Sequence, residues 1–197
     1  MILLPLNPGT YAGRKFTVRY QTNGYYEIEP SEQGFSMKYV PLEVPVEKSF
    51  EDEILGKWLE APVTFGAFEG EKLIGFVEGS IESWNDRFRI SNICVFDPAR
   101  QHGGLGTALM NRITETAEST SARMIVLEIQ SCNESAIAFS VGPGSKIEGS
   151  RLFQIGSVSE YPGAALQQRG GVVRIPDSPC VDIALLEGGA RIGGGEI

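Results

Sequence analysis

The sequence is poor in the residues that most often build metal centres and covalent cross-links. It has one histidine and three cysteines among 197 residues. A single histidine cannot anchor a histidine-rich metal site, and Cys94, Cys132 and Cys180 do not follow the spacing of zinc ligands. We therefore expect no structural metal and no disulfide.

Basic residues and long apolar runs are also scarce. The 17 lysines and arginines are outnumbered by 25 acidic residues, and the formal net charge of −8 argues against a nucleic-acid partner. No run of ~18 apolar residues is present, so no membrane span is predicted. The apolar start at 1–5 lacks the basic flank and the length of a secretion signal. We expect a cytoplasmic protein.

The composition is that of a folded domain with an irregular end. With 42% hydrophobic and 21% charged residues, the chain can bury a full core, and its length fits one domain. We predict a single domain over 1–197, in which about 163–197 form a glycine-rich C-terminal region without assignable structure. Residues 142–197 hold half of the 24 glycines. Short strand-like pieces stand at 151–155, 171–175 and 181–186.

The clearest local pattern is a strand, a glycine loop and a helix. The apolar run 90–96 leads through Asp97-Pro98 into Arg-Gln-His-Gly-Gly-Leu-Gly-Thr at 100–107, after which apolar residues recur at helical spacing. Glycines let an anion approach the backbone, and a helix N-terminus adds partial positive charge. The loop is therefore a predicted phosphate cradle. It lacks the Lys-Ser or Lys-Thr of a P-loop and the glycine spacing of a dinucleotide fingerprint.

Two motifs carry a family resemblance. Residues 101–106, Gln-x-x-Gly-x-Gly, resemble the pyrophosphate-binding motif of the Gcn5-related N-acetyltransferases (GNATs), which bind acetyl-coenzyme A. Residues 127–139, Leu-Glu-x-x-x-x-Asn-x-x-Ala-x-x-Phe, are similar to a second cofactor-contacting region of that family. More narrowly, Ser31–Phe35 and Trp84–Asp86 resemble segments of the streptothricin acetyltransferases. The resemblance covers residues near 15 to 155.

The resemblance implies an α+β (mixed α/β) fold of the GNAT type, with a central mixed, mostly antiparallel sheet flanked by helices. The core strand 90–96 should splay from the next strand, 124–130, and the pantetheine arm of acetyl-coenzyme A should lie in the gap. Asn133 would hold this arm, unless its side chain only caps the short helix 133–139. The implied cofactor-binding residues are Ile93, Cys94, Val95, Gln101, His102, Gly103, Gly104, Leu105, Gly106, Thr107 and Asn133.

Amine acetylation needs a base, an oxyanion site and a proton donor for the leaving thiolate. The resemblance implies that Glu128 is the base, because some relatives use a glutamate at this strand position, and Glu82 and Asp86 are the alternatives. An ion pair or a substrate anchor stays open for Glu128. The usual acid of the family is a tyrosine, and its position holds Ser140, which is too short and too weakly acidic to replace a phenol.

The N-terminal half predicts two β-hairpins separated by a short helix. Asn23-Gly24 is the strongest two-residue turn signal, so we place the first hairpin turn there. The remaining predicted elements are strands at 16–22 and 25–29, an extended segment at 34–45, an acidic helix at 50–60, and a second hairpin of 64–68 with 72–82.

The second strand of that later hairpin predicts a substrate-binding face. Glu78, Glu82 and Trp84 share one face at period two, together with Ile74 and Phe76. Carboxylates beside aromatic rings suit an ammonium group through charge and cation–π attraction. The predicted substrate-binding residues are Glu78, Trp84 and Asn85, and a solvated strand face is the alternative.

Two functions of different class follow. The first is an N-acetyltransferase that moves acetyl from acetyl-coenzyme A to an amine of a small cationic acceptor, for which the streptothricin-like segments suggest an antibiotic. The second is a non-catalytic acyl-coenzyme A-binding or sensing protein, for which Ser140 is the evidence. Protein N-acetylation is a third option inside the first class. Whether the chain forms a homodimer stays open.

Overall fold

The computed structural model describes residues 1–31, 34–97, 103–140, 146–150 and 182–187. No helix among them combines the length and the apolarity needed to cross a membrane. The elements in chain order are β1 (Ile2–Pro5), α1 (Pro8–Tyr11), β2 (Lys15–Ser31), β3 (Gly34–Glu53), β4 (Val63–Glu69), β5 (Lys72–Glu82), β6 (Arg87–Val95), α2 (Leu105–Glu118), β7 (Met124–Gln130), α3 (Glu134–Ser140), β8 (Lys146–Ser150) and β9 (Asp182–Glu187).

Seven strands form the central sheet, in the order β1-β4-β5-β6-β7-β9-β8. Every neighbouring pair is antiparallel except β6 and β7, which are parallel. A parallel pair needs a long crossover connection, and α2 supplies it. The prediction of a mixed, mostly antiparallel sheet is therefore confirmed. Strands β2 and β3 form a separate two-stranded hairpin.

The parallel pair is joined over only part of its length. Pairing runs along Arg87–Ile90 of β6 and Met124–Leu127 of β7, and it ends there. The later residues Ser91–Val95 and Glu128–Gln130 belong to the same strands but do not pair with each other. The predicted splay between strands 90–96 and 124–130 is confirmed.

A β-bulge explains why β6 leaves its neighbour. In the β5–β6 ladder Glu78 faces Asn92 and Gly79 faces Ile90, so Ser91 is an extra residue of β6. A bulge bends its strand and increases the local twist. The bend falls next to the last paired residue of β6, and it turns the end of the strand away from β7.

Helix α2 covers one face of the sheet. Its apolar residues recur every three or four positions, and the resulting stripe packs on Val77, Phe88 and Ile90. Burying each large apolar side chain contributes about 1.5–3 kcal/mol, so this stripe fixes the helix on the sheet. The buried residues of α2 are Leu105, Leu109, Met110, Ile113 and Ala117.

The other face of the sheet is covered by the base of the β2–β3 hairpin. Phe76 and Val77 are neighbours on β5, so they point to opposite faces. Val77 packs in the α2 core, whereas Phe76 packs with Phe16 and Ile54 in a second cluster. The rings of Phe16 and Phe76 meet edge to face, with centroids 4.9 Å apart. Ile74, in contrast, packs in the α2 core and not with Phe76. The prediction that Ile74 and Phe76 share one face of β5 is therefore wrong.

The predicted turn at Asn23-Gly24 is wrong. Strand β2 passes through these residues and pairs with β3 on both sides of them, with a register shift between Thr22 and Gly24. The backbone N–H of Asn23 donates to the Glu134 carboxylate at 2.7 Å, which ties this irregularity to α3. A Cβ on Gly24 would lie 2.5 Å from the Val40 carbonyl oxygen, so glycine is needed for close strand approach. The Asn-Gly signal marks an irregularity of the β2–β3 ladder, where residues 42–45 of β3 lie unpaired opposite Asn23.

The predicted acidic helix at 50–60 is also wrong. Strand β3 continues to Glu53, and turns follow it. An isolated helix of this length is marginal in water, and pairing with β2 captures its first residues instead. Ile54 and Leu55 then enter the core, Leu55 with a positive φ of 55°. The second hairpin is confirmed as β4 and β5, with Gly70 at φ 59° in its turn.

The C-terminal strands extend the sheet beyond β7. Strand β9 agrees with the strand-like piece predicted at 181–186, and β8 was not predicted. Strand β9 pairs antiparallel with both β7 and β8. The other two pieces, 151–155 and 171–175, lie outside the described residues.

The cysteines differ from the prediction. Cys94 is free and buried, and burial raises its pKa to about 12. Cys132 is disulfide-bonded, so the expectation of no disulfide is wrong. Three cysteines permit one bond and one free thiol, and spacing along the chain does not show which side chains meet in space.

Candidate active site

The splay between β6 and β7 opens a cleft with walls from four parts of the chain. Strands β6 and β7 form two walls, α3 a third, and the end of β3 with Trp58 the fourth. The cleft is lined by Phe50, Glu51, Asp52, Trp58, Arg89, Ser91, Asn92, Ile93, Leu127, Glu128, Ile129, Gln130, Asn133, Ala136, Phe139 and Ser140.

The start of α2 adjoins this cleft and suits an anion. Gly104 is its N-cap, at φ 77°, with no side-chain cap and no acidic residue in the first turn. The first N–H groups of a helix lack acceptors inside the helix, and they carry its positive dipole end. A Cβ on Gly104 would meet nothing within 4 Å, so the space before the helix is open. A Cβ on Gly106 would lie 3.4 Å from the Phe139 ring, which itself lines the cleft.

The predicted cofactor residues of β6 and α2 take different positions. Ile93 lines the cleft, whereas Cys94 packs in the core, so only its backbone can face a ligand. Leu105 is buried and anchors the helix start, and Thr107 is exposed. Gly103 lies in the turn before α2, and Val95 is the last residue of β6. Gln101 and His102 lie outside the described residues.

Asn133 caps α3. Its Oδ1 accepts a hydrogen bond from the Ala136 N–H at 3.1 Å, which is the capping geometry raised as the alternative for this residue. Asn133 also lines the cleft. A role in holding a pantetheine arm stays a prediction.

The predicted base Glu128 is ion-paired. Arg89 donates from Nη2 to Glu128 at 3.0 Å, and its Nη1 lies 3.4 Å from Glu82. Arg87 also bonds Glu82 through Nε. These side chains are 13–21% exposed, so water screens their charges only weakly. The structure thus brings Glu128 and Glu82 together through Arg89, and Arg87 and Arg89 together balance the two negative charges.

Three predicted residues lie away from the cleft. Trp84, Asn85 and Asp86 form the turn between β5 and β6, and none of them lines the cleft. The Arg87 guanidinium already stacks over the Trp84 ring at 5.3 Å. Asp86 has a positive φ of 55°, and its carbonyl accepts from the Arg123 N–H. Their predicted catalytic and substrate-binding roles are not supported by this cleft and stay predictions.

Glu78 is fully buried behind the cleft wall. Its Oε2 accepts from the Leu55 N–H at 2.8 Å, and its Oε1 accepts from Asn92 Nδ2 at 2.8 Å. Burial raises the pKa of Glu78, although these two hydrogen bonds act in the opposite direction. Direct substrate contact does not fit this position, and Glu78 instead supports Asn92.

Sequence reasoning missed the wall formed by the end of β3. Phe50, Glu51 and Asp52 line the cleft because β3 is a strand there and not a helix. No local sequence pattern predicts this wall, since the strand conformation of these residues depends on pairing with β2. The polar pair Ser91-Asn92 inside an apolar strand was a usable signal, because it marks the bulge.

Three residues that line the cleft carry a buried polar atom without a hydrogen-bond partner among the described residues. Five buried side-chain atoms of the described residues lack a hydrogen-bond partner, and Arg89 Nε, Ser91 Oγ and Ser140 Oγ belong to residues that line the cleft. A buried polar group without a partner costs about 1–3 kcal/mol. Such a concentration indicates a site that a polar ligand completes. Among the described residues, no group of three or more potential metal ligands occurs.

Comparison with known proteins identifies the family. The model of the acetyltransferase (GNAT) family matches residues 27–140, which is more than half of the chain. The chain therefore belongs to the acetyltransferase (GNAT) family, a family of acetyl-coenzyme A-dependent acyltransferases.

Individual relatives are more specific. A streptothricin acetyltransferase of Streptomyces lavendulae is 27% identical over 126 residues, which cover 60% of this chain and 66% of that protein, just under two thirds of its length. The crystal structure of a nourseothricin acetyltransferase matches with a TM-score of 0.64 at 23% identity, over 94% of this chain and 96% of that one. A Bacillus anthracis str. Ames protein described as a streptothricin acetyltransferase, crystallised with acetyl coenzyme A, matches with a TM-score of 0.61 at 17% identity, over 94% and 95%. The two structural similarities establish the fold.

Proposed function

We propose that this protein is an N-acetyltransferase that transfers acetyl from acetyl-coenzyme A to an amine of a small cationic acceptor, with streptothricin as the first acceptor to test. The observation that carries the proposal is the cleft between β6 and β7, which adjoins the uncapped N-terminus of α2. The streptothricin acetyltransferase among the relatives supports this acceptor class.

The residues present fit acetyl-coenzyme A. Gly103, Gly104 and Gly106, with the first N–H groups of α2, would hold the pyrophosphate. The gap beside Ser91–Val95 would take the pantetheine arm, because the backbone groups on that edge of β6 face no paired strand. When bound, the cofactor supplies an activated thioester. Backbone N–H groups of β6 would donate hydrogen bonds to its carbonyl oxygen.

Glu128 is the predicted base, and Ser140 stands where the family usually has a tyrosine acid. Glu128 Oε2 accepts from Arg89 at 3.0 Å, so we assign Glu128 to the ion pair of the cleft wall and not to proton transfer. The Ser140 hydroxyl is buried, lines the cleft and has no partner among the described residues, so it can donate a hydrogen bond to a bound ligand. Its low acidity makes water the better proton donor to the thiolate.

The second candidate function is an acyl-coenzyme A sensor without turnover. Two observations favour it, the serine at 140 in place of a phenol and the ion pair that occupies Glu128. A sensor would still bind the cofactor at the start of α2, but it would not transfer the acetyl group.

Coenzyme A release separates the two functions. Purified protein is incubated with acetyl-coenzyme A and, in turn, streptothricin, spermidine or a peptide with a free N-terminus, while a thiol reagent follows release. Turnover with streptothricin or spermidine supports the proposal, and turnover with the peptide alone favours protein acetylation. Thermal stabilisation by acetyl-coenzyme A without any turnover supports the sensor.

A further inference from the structure

Near the end of β3, Asp52 places a carboxylate in the cleft, and this carboxylate has no cationic partner among the described residues. Asp52 lines the cleft, and its Oδ1 accepts from the Glu53 N–H at 2.8 Å. Its Oδ2 accepts from Asn92 Nδ2 at 3.1 Å. Both donors are neutral, and within the part of the chain that the structure describes no ion pair reaches Asp52. Its negative charge is therefore not compensated.

The other carboxylates around this wall differ from Asp52 in that respect. Glu128 and Glu82 share Arg89, and Glu82 also bonds Arg87. Among the described residues that line the cleft, Arg89 is the cationic one, and it is paired with these two glutamates. The exposed Glu51 stands beside Asp52 on the same wall and adds to the local negative charge. This end of the cleft therefore attracts a cation.

Asp52 is held in a fixed position by a buried chain of hydrogen bonds. Asn92 Nδ2 has two hydrogens, and it donates to Glu78 as well as to Asp52. Glu78 is in turn fixed by the Leu55 N–H. Asn92 follows the bulge at Ser91, where β6 leaves β7, so Asp52 lies at the mouth of the gap. A carboxylate held in place before binding loses little entropy when a ligand arrives.

A second observation points to a ligand at the same place. Ser140 is 1% exposed, and its Oγ has no hydrogen-bond partner among the described residues although it lines this cleft. Ser91 Oγ on the facing wall is unsatisfied as well. Phe50 and Trp58 add aromatic surface to the cleft, and the Arg89 guanidinium stacks over the Trp58 ring at 5.6 Å. Together these groups offer a polar acceptor hydrogen bonds, an apolar wall and one open carboxylate.

Resting on the proposed function, we infer that Asp52 receives the ammonium group of the acceptor and holds it at the mouth of the gap between β6 and β7. Asp52 then selects acceptors whose amine is protonated in solution, such as alkylamines, over neutral aromatic amines. The ammonium has three N–H donors, which suit the lone pairs that Glu53 and Asn92 leave open on this carboxylate.

The test is Asp52→Asn, which removes the charge at nearly constant shape. Glu47→Gln is the matched control, because it removes one carboxylate from an exposed position of β3 that does not line the cleft. Asp52→Asn should raise the acceptor KM for streptothricin roughly 10–100-fold, since a charged hydrogen bond is lost. The kcat should stay within a few-fold and the acetyl-coenzyme A KM should not move, whereas Glu47→Gln should match the wild type.

Equal acceptor KM values in Asp52→Asn and Glu47→Gln would overturn the inference. Asp52→Glu, which restores the charge, should recover part of the affinity, and Asp52→Ser replaces Asp52→Asn if that variant does not fold.

Calorimetry keeps this inference separate from the proposed function. Streptothricin and spermidine are titrated into protein loaded with coenzyme A, so that no turnover is needed. If the wild type shows no turnover but Asp52→Asn weakens binding by a similar factor, the proposed function fails and the inference stands. If both proteins bind the probes equally, or the wild type binds neither probe, the inference is overturned.

Discussion

The two sides of the cleft offer a ligand different kinds of group. The side built from β6 and the start of α2 presents backbone N–H groups, at an uncapped helix end and along an unpaired strand edge. The side built from the end of β3 presents side chains, above all Asp52, Phe50 and Trp58. Backbone groups suit a constant ligand such as a coenzyme. Side chains can change without disturbing the fold, and they suit the ligand that varies.

The two sides also differ in how they are held. Helix α2 is fixed by its own buried stripe on the sheet. The hairpin is fixed by Phe16 at its base and by Glu134 of α3, which accepts from Asn23 at 2.7 Å and from Tyr39 at 2.5 Å. The hydrogen bond to Glu134 raises the pKa of Tyr39 to about 12. Changes on the two sides should therefore separate into cofactor effects and acceptor effects.

The largest expected effect is the loss of cofactor binding in Gly104→Asp. The new carboxylate would stand at the helix N-terminus, where a phosphate should bind. Gly70→Asp is the matched control, because Gly70 also has a positive φ and open space around its Cα, but it lies in the β4–β5 turn. Both variants should lose some stability from backbone strain, of order 1–3 kcal/mol.

Only Gly104→Asp should lose the rise in melting temperature that acetyl-coenzyme A produces. A rise that persists in Gly104→Asp would exclude the cradle.

The parts predicted correctly from the sequence depend on neighbours along the chain. Strand β6, helix α2, strand β7 and helix α3 follow from apolar periodicity, a glycine loop and an asparagine cap. The splay followed from the family resemblance, and the bulge at Ser91 gives its physical cause.

The parts predicted wrongly depend on distant partners. In place of a turn, Asn23-Gly24 lies at an irregularity of the β2–β3 ladder, to which Glu134 is hydrogen-bonded from 111 residues away. Asp52 meets Asn92 across 40 residues, and Arg89 meets Glu128 across 39. Periodicity and propensity contain no information about such contacts. The sequence therefore predicted Ile93, Glu128 and Asn133, which line the cleft, but missed the wall formed by the end of β3.

An intermediate effect is expected for Glu128→Gln. Arg89 keeps Glu82 as a partner, so losing the second carboxylate should lower the free energy of unfolding by about 1–3 kcal/mol. The control Glu115→Gln breaks the exposed pair with Arg112, which should contribute about 0–1 kcal/mol. Denaturant unfolding of both variants measures the difference.

Kinetics of the same variant test its chemical role. As a wall residue, Glu128 should leave kcat within a few-fold of the wild type across pH 6 to 9. A fall of roughly 10²–10⁴-fold in kcat, with loss of the acidic limb of the pH profile, would instead make Glu128 the base.

The smallest effect is expected for Glu134→Ala, which releases the hairpin from α3. We expect a loss of about 1 kcal/mol, because the lost hydrogen bonds are largely exposed. Burial alone would raise the pKa of Glu134, but hydrogen bonds from Tyr39, Asn23 and Thr22 together lower it. A lowered folded-state pKa stabilises the fold above the unfolded value near 4.5, and this contribution disappears as pH falls through the folded value.

The difference in unfolding free energy between the wild type and Glu134→Ala should therefore be present at neutral pH and shrink in acid. The exposed Glu118→Ala on α2 serves as control. A difference that grows as the pH falls would contradict the role of Glu134 in holding the hairpin.

The division of the cleft into a cofactor side and an acceptor side is tested most directly by hydrogen exchange with stepwise ligand addition. Coenzyme A should first protect amides of 91–97 and 103–109 and leave 48–58 unchanged, because the coenzyme binds backbone groups of β6 and α2. Streptothricin, added second, should then protect 48–58 around Asp52. Protection of 48–58 by coenzyme A alone, or of 103–109 by streptothricin alone, would contradict the division.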